Sequence, residues 1–247
     1  MQLNYNHSQQ TLILHNTDNE SDPRTNIRIN CKINNTETIN ILSNEIDNIF
    51  KMQICLSINN NNRYWNKIYI SNDSSKLNLL IFLQNPSDDL KVGTLKKLIH
   101  KFIEDDKYID KIYTITFINV YSKIDKNINN WINLNFDNEI LTNEEKQNID
   151  ALQILLLINN YNECYIGPGQ HICSFGLKGT HIKKYFLITY TKIVNMMLNK
   201  ITIFKGFGNF SSYHIPDYPY SRKTKYNPIF IDIPINLLRE KTNKIKF

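Results

Sequence analysis

The segment Leu77–Leu83 (LNLLIFL) limits what this chain can fold into, because it is apolar on both faces of any strand it forms. A strand of that kind belongs in the interior of a sheet covered on either side. The residues after it fit such a sheet. Val92, Leu95, Leu98, Ile99, Phe102 and Ile103 recur at helical spacing with Lys96, Lys97 and Lys101 opposite, which predicts an amphipathic helix. The run from Lys111 to Asn119 (KIYTITFIN) reads as the next strand. Thr142 with Glu145 forms a capping-box signature ahead of a helix reaching Asn160. A strand over Glu163–Ile166, a helix over Thr180–Leu198, and strands over 201–204 and 229–233 complete the pattern. Strands alternating with helices of about 12 to 20 residues predict an α/β fold. The expected form is a three-layer sandwich with a mainly parallel central sheet and helices on both faces. Leu77–Leu83 is expected at its centre, flanked by strands around Ile115 and Tyr165.

The chain of 247 residues is long enough for one such core and too short for two. Residues 1–60 read as an Asn-rich appendage on its edge, with β-like runs at Thr11–His15 and 26–33 and a helix between Thr38 and Met52. Residues 61–235 form the expected core domain and 236–247 a basic tail. The 37 Asn and 39 Ile against a single Ala, Ala151, are what AT-rich codon usage produces, as in a bacterium, a protist, a mobile element or a large virus. With 41% hydrophobic and 21% charged residues, wholesale disorder is excluded.

Lys and Arg total 29 against 23 Asp and Glu, a formal charge of +6 that permits a polyanionic partner without naming one. The four cysteines, Cys31, Cys55, Cys164 and Cys173, contain no CxxC pair, so neither a zinc ribbon nor a disulfide framework is expected, and no metal or cofactor is predicted. The N-terminus lacks a charged and then apolar leader, and no segment approaches a membrane span. The expectation is a cytoplasmic protein with no membrane association. Its oligomeric state is left open.

In parallel sheets ligands bind outside the carboxyl ends of the strands, which directs attention to three loops and a fourth after Phe204. The loop after Leu83 offers Asn85, Ser87, Asp88 and Asp89 around Pro86: an amide, a hydroxyl and two carboxylates that could hold a water and accept its proton. The same residues also make ordinary turn and helix-cap chemistry. The segment from Phe207 to Tyr226 interleaves aromatics such as Tyr220 with His214, Arg222 and Lys223, a pattern suited to stacking on bases and reaching phosphates, or to packing on the domain itself. His214 is the natural proton carrier near neutral pH. The turn at Gly167 could present backbone N–H groups to a phosphate but carries no P-loop or dinucleotide pattern.

Taken in order, NRYWNKIYIS, LLIFLQNPSDD, GTLKKLIHKFI, ITFINVYSKID, EKQNIDALQILL, YIGPG and HIPDYPYSRK resemble domain-of-unknown-function family 1643, found in bacteria and phages. The resemblance covers roughly residues 62–233 and implies site positions at Arg63, Tyr64, Asn85, Pro86, Ser87, Thr94, Asn119, Gly167, His214, Pro219 and Tyr220. Asp88 and Asp89 replace the family's Thr-Ala, Ile166 its Trp, and extra residues separate His214 from Pro219. The strand followed by Asn-Pro is also similar to the first active-site motif of the uracil-DNA glycosylases. That likeness implies base flipping, water oriented by Asn85 or Asp88, a departing base stabilised by His214, and phosphate held by Arg222 and Lys223. The function expected is therefore a hydrolase of a nucleotide or nucleic acid, glycosylase-like in mechanism. The alternative is a non-catalytic module binding single-stranded nucleic acid or protein.

Overall fold

The computed structural model describes residues 2–6, 11–15, 29–33, 37–46, 50–57, 62–84, 94–108, 110–122, 138–169, 180–219 and 229–246. Among them, strands β1 (Gln2–Asn6), β2 (Thr11–His15), β3 (Ile29–Ile33), β4 (Glu37–Ile46), β5 (Phe50–Ser57), β6 (Arg63–Tyr69) and β7 (Leu77–Leu83) precede the first helix, α1 (Thr94–Ile103). Then come β8 (Ile112–Asn119), α2 (Asn138–Ile158), β9 (Glu163–Ile166), α3 (Thr180–Leu198), β10 (Ile203–Gly206), β11 (Ile231–Ile233) and α4 (Ile235–Asn243). β1 and β2 pair with each other; the other nine form one sheet in the order β11-β10-β9-β7-β8-β6-β5-β4-β3.

β7 lies inside the sheet, parallel to both of its neighbours, β8 and β9, as its two-faced apolar run requires. β9 and β10 are also parallel. The sheet is nevertheless mixed rather than mainly parallel: β3 to β6 form an antiparallel meander that joins β8, and β11 runs antiparallel to β10 on the other edge. Connection length explains the division. Only a few residues separate β3, β4, β5 and β6, too few for a crossover, whereas β7, β8, β9 and β10 are separated by segments long enough to hold α1, α2 and α3.

The expected helix between Thr38 and Met52 is instead the β4–β5 pair, with Ile46 opposite Phe50. Thr38, Ile39 and Ile41 are β-branched and suit a ladder better than a helix. The 236–247 tail is largely α4, and Thr142 lies inside α2, which begins at Asn138.

Alternation along β7 sends its side chains into two clusters. Leu79, Ile81 and Leu83 pack with Leu98, Ile99 and Phe102 of α1. Leu80 and Phe82 pack with Leu152, Leu155 and Leu156 of α2 and with Phe186, Tyr190 and Val194 of α3. Phe82 stacks on Tyr190 with ring centroids 5.7 Å apart. Burial pushes the phenols of Tyr161 and Tyr190 above their ordinary value, and burial together with the neighbouring Tyr113 pushes Tyr69 up to about 12. A raised phenol stays neutral in the folded chain while the unfolded chain ionises near pH 10. Stability held by these groups is therefore present below pH 10 and lost as pH rises beyond it. We expect phenolate absorbance to lag behind the added base and then to appear together with loss of the far-ultraviolet dichroism; full ionisation of a still-folded chain near pH 10 would contradict this.

Candidate functional site

Among the described residues, two regions collect polar side chains. The first is the carboxyl edge of the parallel strands. Arg63 opens β6 antiparallel to β8 and so stands beside the end of β8, where its N–H donates to the Ser122 carbonyl at 2.6 Å. Arg63, Gln84, Asn119, Ser122 and Asn148 are all buried there. Asn148 of α2 donates its Nδ2 to the carbonyls of Asn119 at 3.1 Å and Val120 at 3.0 Å, which ties α2 to the end of β8. The Tyr64 hydroxyl donates to Gln147 Oε1 at 3.1 Å. Tyr121 continues β8 and donates its hydroxyl to the Ile182 carbonyl at 3.1 Å, so α3 begins on the same edge.

The chain after β10 returns to this edge. Gly167 ends β9 with its N–H on the Phe82 carbonyl at 2.9 Å, and a Cβ there would lie 2.4 Å from Phe207 Cδ2. Gly169 donates to the Pro216 carbonyl at 3.1 Å at a φ of +71°, and a Cβ there would lie 2.9 Å from the Tyr218 side chain. Both glycines are thus required by the approach of residues 207–218. Gly169→Ala is expected to cost about 1–2 kcal/mol, read as a lower urea midpoint, because the left-handed backbone then carries a Cβ. An unchanged midpoint would mean that the contact with Tyr218 is not part of the folded state.

His214 sits half-buried at a φ of +62° in a turn closed by its N–H on the Ser211 carbonyl at 2.9 Å. Its neighbour Tyr213 lies under Lys183 Nζ, 4.7 Å from the ring centroid, which puts this turn at the start of α3. Glu240 of α4 is within electrostatic reach of His214, its carboxyl being held below its ordinary range first by the hydrogen bond from Lys244 and least by His214. The structure places Arg63, Tyr64 and Asn119 around the end of β8, Gly167 after β9 on the far side of β7, and His214 in the turn beside the start of α3. Asn85, Ser87, Asp88, Tyr220, Arg222 and Lys223 lie outside the described residues.

The second region was not anticipated from the sequence. Glu163 and Tyr165 alternate onto one face of β9, and Lys205 of β10 sits opposite Tyr165. The turn after α1 brings Tyr108 over the same face. Glu163 Oε2 accepts from Lys205 Nζ at 2.6 Å, from the Tyr108 hydroxyl at 2.7 Å and from the Tyr165 hydroxyl at 2.9 Å. Lys205 Nζ also lies 2.5 Å from the Tyr108 oxygen and 3.3 Å from that of Tyr165, and the two phenol oxygens are in contact with each other. Phe102, Phe207 and Phe230 wall the group, with Phe102 edge-on to Tyr165 at 4.7 Å. Burial raises the Glu163 carboxyl, but the hydrogen bonds from Lys205, Tyr108 and Tyr165 outweigh it and leave the group below its ordinary range. Burial first, together with the neighbouring Lys107, pulls the Lys205 ammonium below its ordinary value against the opposing effect of Glu163.

This group borders a cavity of about 350 Å³ lined by Lys101, Asp105, Lys107, Lys205, Phe230 and Asp232, among others. A lysine inside the otherwise apolar IFKG strand is the sequence signal that marks it. Among the described residues no three His, Cys, Asp or Glu side chains gather as a metal site would need, and no helix is long and apolar enough to cross a membrane. No family model, no curated protein and no solved structure matches the chain.

Proposed function

We propose that the chain binds a nucleotide or a single nucleic-acid strand at the carboxyl edge of its parallel strands and hydrolyses a bond of that ligand there. The observation that carries this reading is the strand order. β7 is followed in sequence by β8 on one side, and the chain then crosses to β9 and β10 on the other. At such a reversal the loops leaving neighbouring strands diverge and open a crevice for ligand. With right-handed crossovers the reversal also puts α1 on the face opposite α2 and α3, a three-layer arrangement supported by the division of β7 side chains between two clusters.

In this reading Asn85 and Asp88, which follow β7 in the sequence, orient the attacking water. Arg63 and Asn119 line the β8 side of the crevice. His214 stabilises the leaving group, and Arg222 and Lys223 hold phosphate. The ordered motifs from Arg63 to Tyr220 are the support for kinship with domain-of-unknown-function family 1643 and for a glycosylase-like reaction. A cytoplasmic setting accords with buried Cys55 and Cys164 as reduced thiols.

The test is affinity for short single-stranded DNA, RNA and free nucleotides over a salt series, with product analysis of each mixture. His214→Ala and Asn85→Ala are expected to abolish binding or turnover with the fold intact, and Lys225→Ala to lower the slope of log affinity against log salt by about 1. Binding without turnover by wild type would leave the binding-module alternative. Absence of binding to all three ligand types would refute the reading.

A further inference from the structure

The Glu163–Lys205 group lies on the face of β9 and β10 that carries Tyr165 and takes no part in the function proposed above. Its geometry leaves Lys205 incompletely engaged. Glu163 Oε2 and the Tyr108 oxygen, 2.6 and 2.5 Å from Nζ and 2.7 Å from each other, subtend only about 60° at Nζ, little more than half the tetrahedral angle between two N–H bonds. The Tyr165 oxygen, close to both, falls in the same cone. One side of the nitrogen thus serves all three partners, and Lys205 also lines the cavity. Lys107 lies against Lys205 at this cavity, and Lys101, Asp105, Asp232 and the apolar ring of Phe230 complete the wall, so the lysines outnumber the carboxylates.

We propose that Lys205 is a reactive amine that forms an imine with a small 2-oxo acid bound in this cavity, the ligand's carboxylate being held by Lys101 and Lys107. The neutral nitrogen adds to the carbonyl carbon. Two protons pass from nitrogen to the carbonyl oxygen by way of the Tyr108 and Tyr165 hydroxyls, and that oxygen leaves as water as the C=N bond forms. The proton that the Lys205 ammonium gives up to solvent before it adds is returned from solvent and makes the imine cationic, so Lys101 and Lys107 stay charged on the ligand's carboxylate and the Glu163 carboxylate faces the imine charge. The group is tuned for this chemistry: burial makes the Lys205 ammonium easier to deprotonate, while contact with Lys205 holds the exposed Lys107 protonated above its ordinary value.

The test is reductive trapping on the folded full-length chain with pyruvate as the probe and cyanoborohydride as the reductant, followed by peptide mass mapping. The adduct is expected on Lys205 at least tenfold above any other lysine. Acetaldehyde, which lacks the carboxylate, is expected to label Lys205 at least tenfold less than pyruvate does. Lys107→Met is expected to reduce pyruvate labelling of Lys205 and leave circular dichroism unchanged. Adducts scattered over surface lysines, or a folded chain in which Lys205 stays unlabelled, would overturn the reactive-amine assignment; equal labelling by acetaldehyde would overturn the carboxylate subsite. The wild-type map decides the matter without any substitution of Lys205.

Discussion

Glu163→Leu is expected to lower folding stability by about 3–5 kcal/mol, and Lys205→Met added to it to restore most of that loss. Glu163 and Lys205 are both buried, and their nitrogen and oxygen lie 2.6 Å apart. Removing the carboxylate leaves an ammonium with only two phenol oxygens in a setting walled by Phe102, Phe207 and Phe230, whereas removing both charges leaves apolar groups of similar size in an apolar surround. A domain of this size has about 5–15 kcal/mol of stability in all, so the single substitution is expected to bring the chain near unfolding at body temperature. Urea denaturation of the two single variants and the double variant closes the cycle. Additive costs, with coupling under about 0.5 kcal/mol, would mean that the pair is not an energetic unit.

The same pair sets an acid limit. Because the Glu163 carboxyl is held below 4.5, its contribution is present above that pH and is lost as pH falls through the lowered folded-state value. Wild type is therefore expected to lose stability on acidification more steeply than the double variant.

Phe82→Ala is expected to cost about 3–5 kcal/mol, the loss typical of a buried aromatic whose site cannot collapse. Phe82 is wholly buried on the interior strand, and its ring stacks on Tyr190 of α3. The contrast is Ile231 on the edge strand β11, 38% exposed, whose truncation to Ala is expected to cost under about 1 kcal/mol. Thermal melts of both variants measure the difference. Similar losses at the two positions would contradict the placement of β7 inside the sheet.

The core strands were legible because their side chains obey one rule at a time. Leu77–Leu83 is apolar on both faces, Glu163–Ile166 is bounded by the Asn-rich stretch NNYN before it and by Gly-Pro-Gly after it, and α1 and α3 repeat at helical spacing. The N-terminal strands were harder to read. Residues 38–52 mix polar and apolar positions in a way that fits a helix or a strand, and pairing with β6 decides between them. The mixed sheet was readable in principle from the few residues separating β3 to β6, since connection length fixes direction. The Lys205 group shows the limit of sequence reading. Lys205 and Glu163 stand out as charges within short apolar strands, but Tyr108 joins them only because the turn after α1 folds across β9, a contact between residues 55 apart in the chain.

The measurement that bears most directly on the carboxyl-edge site is amide chemical-shift mapping of the labelled chain titrated with a short single-stranded oligonucleotide and, separately, with a free nucleotide. The shifts are expected to concentrate on Asn119 to Ser122, Gly167 to Gly169 and Ser211 to Tyr218, and to leave Lys101, Lys107 and Lys205 unmoved. Shifts confined to the Lys205 cavity, or none at saturating ligand, would contradict it.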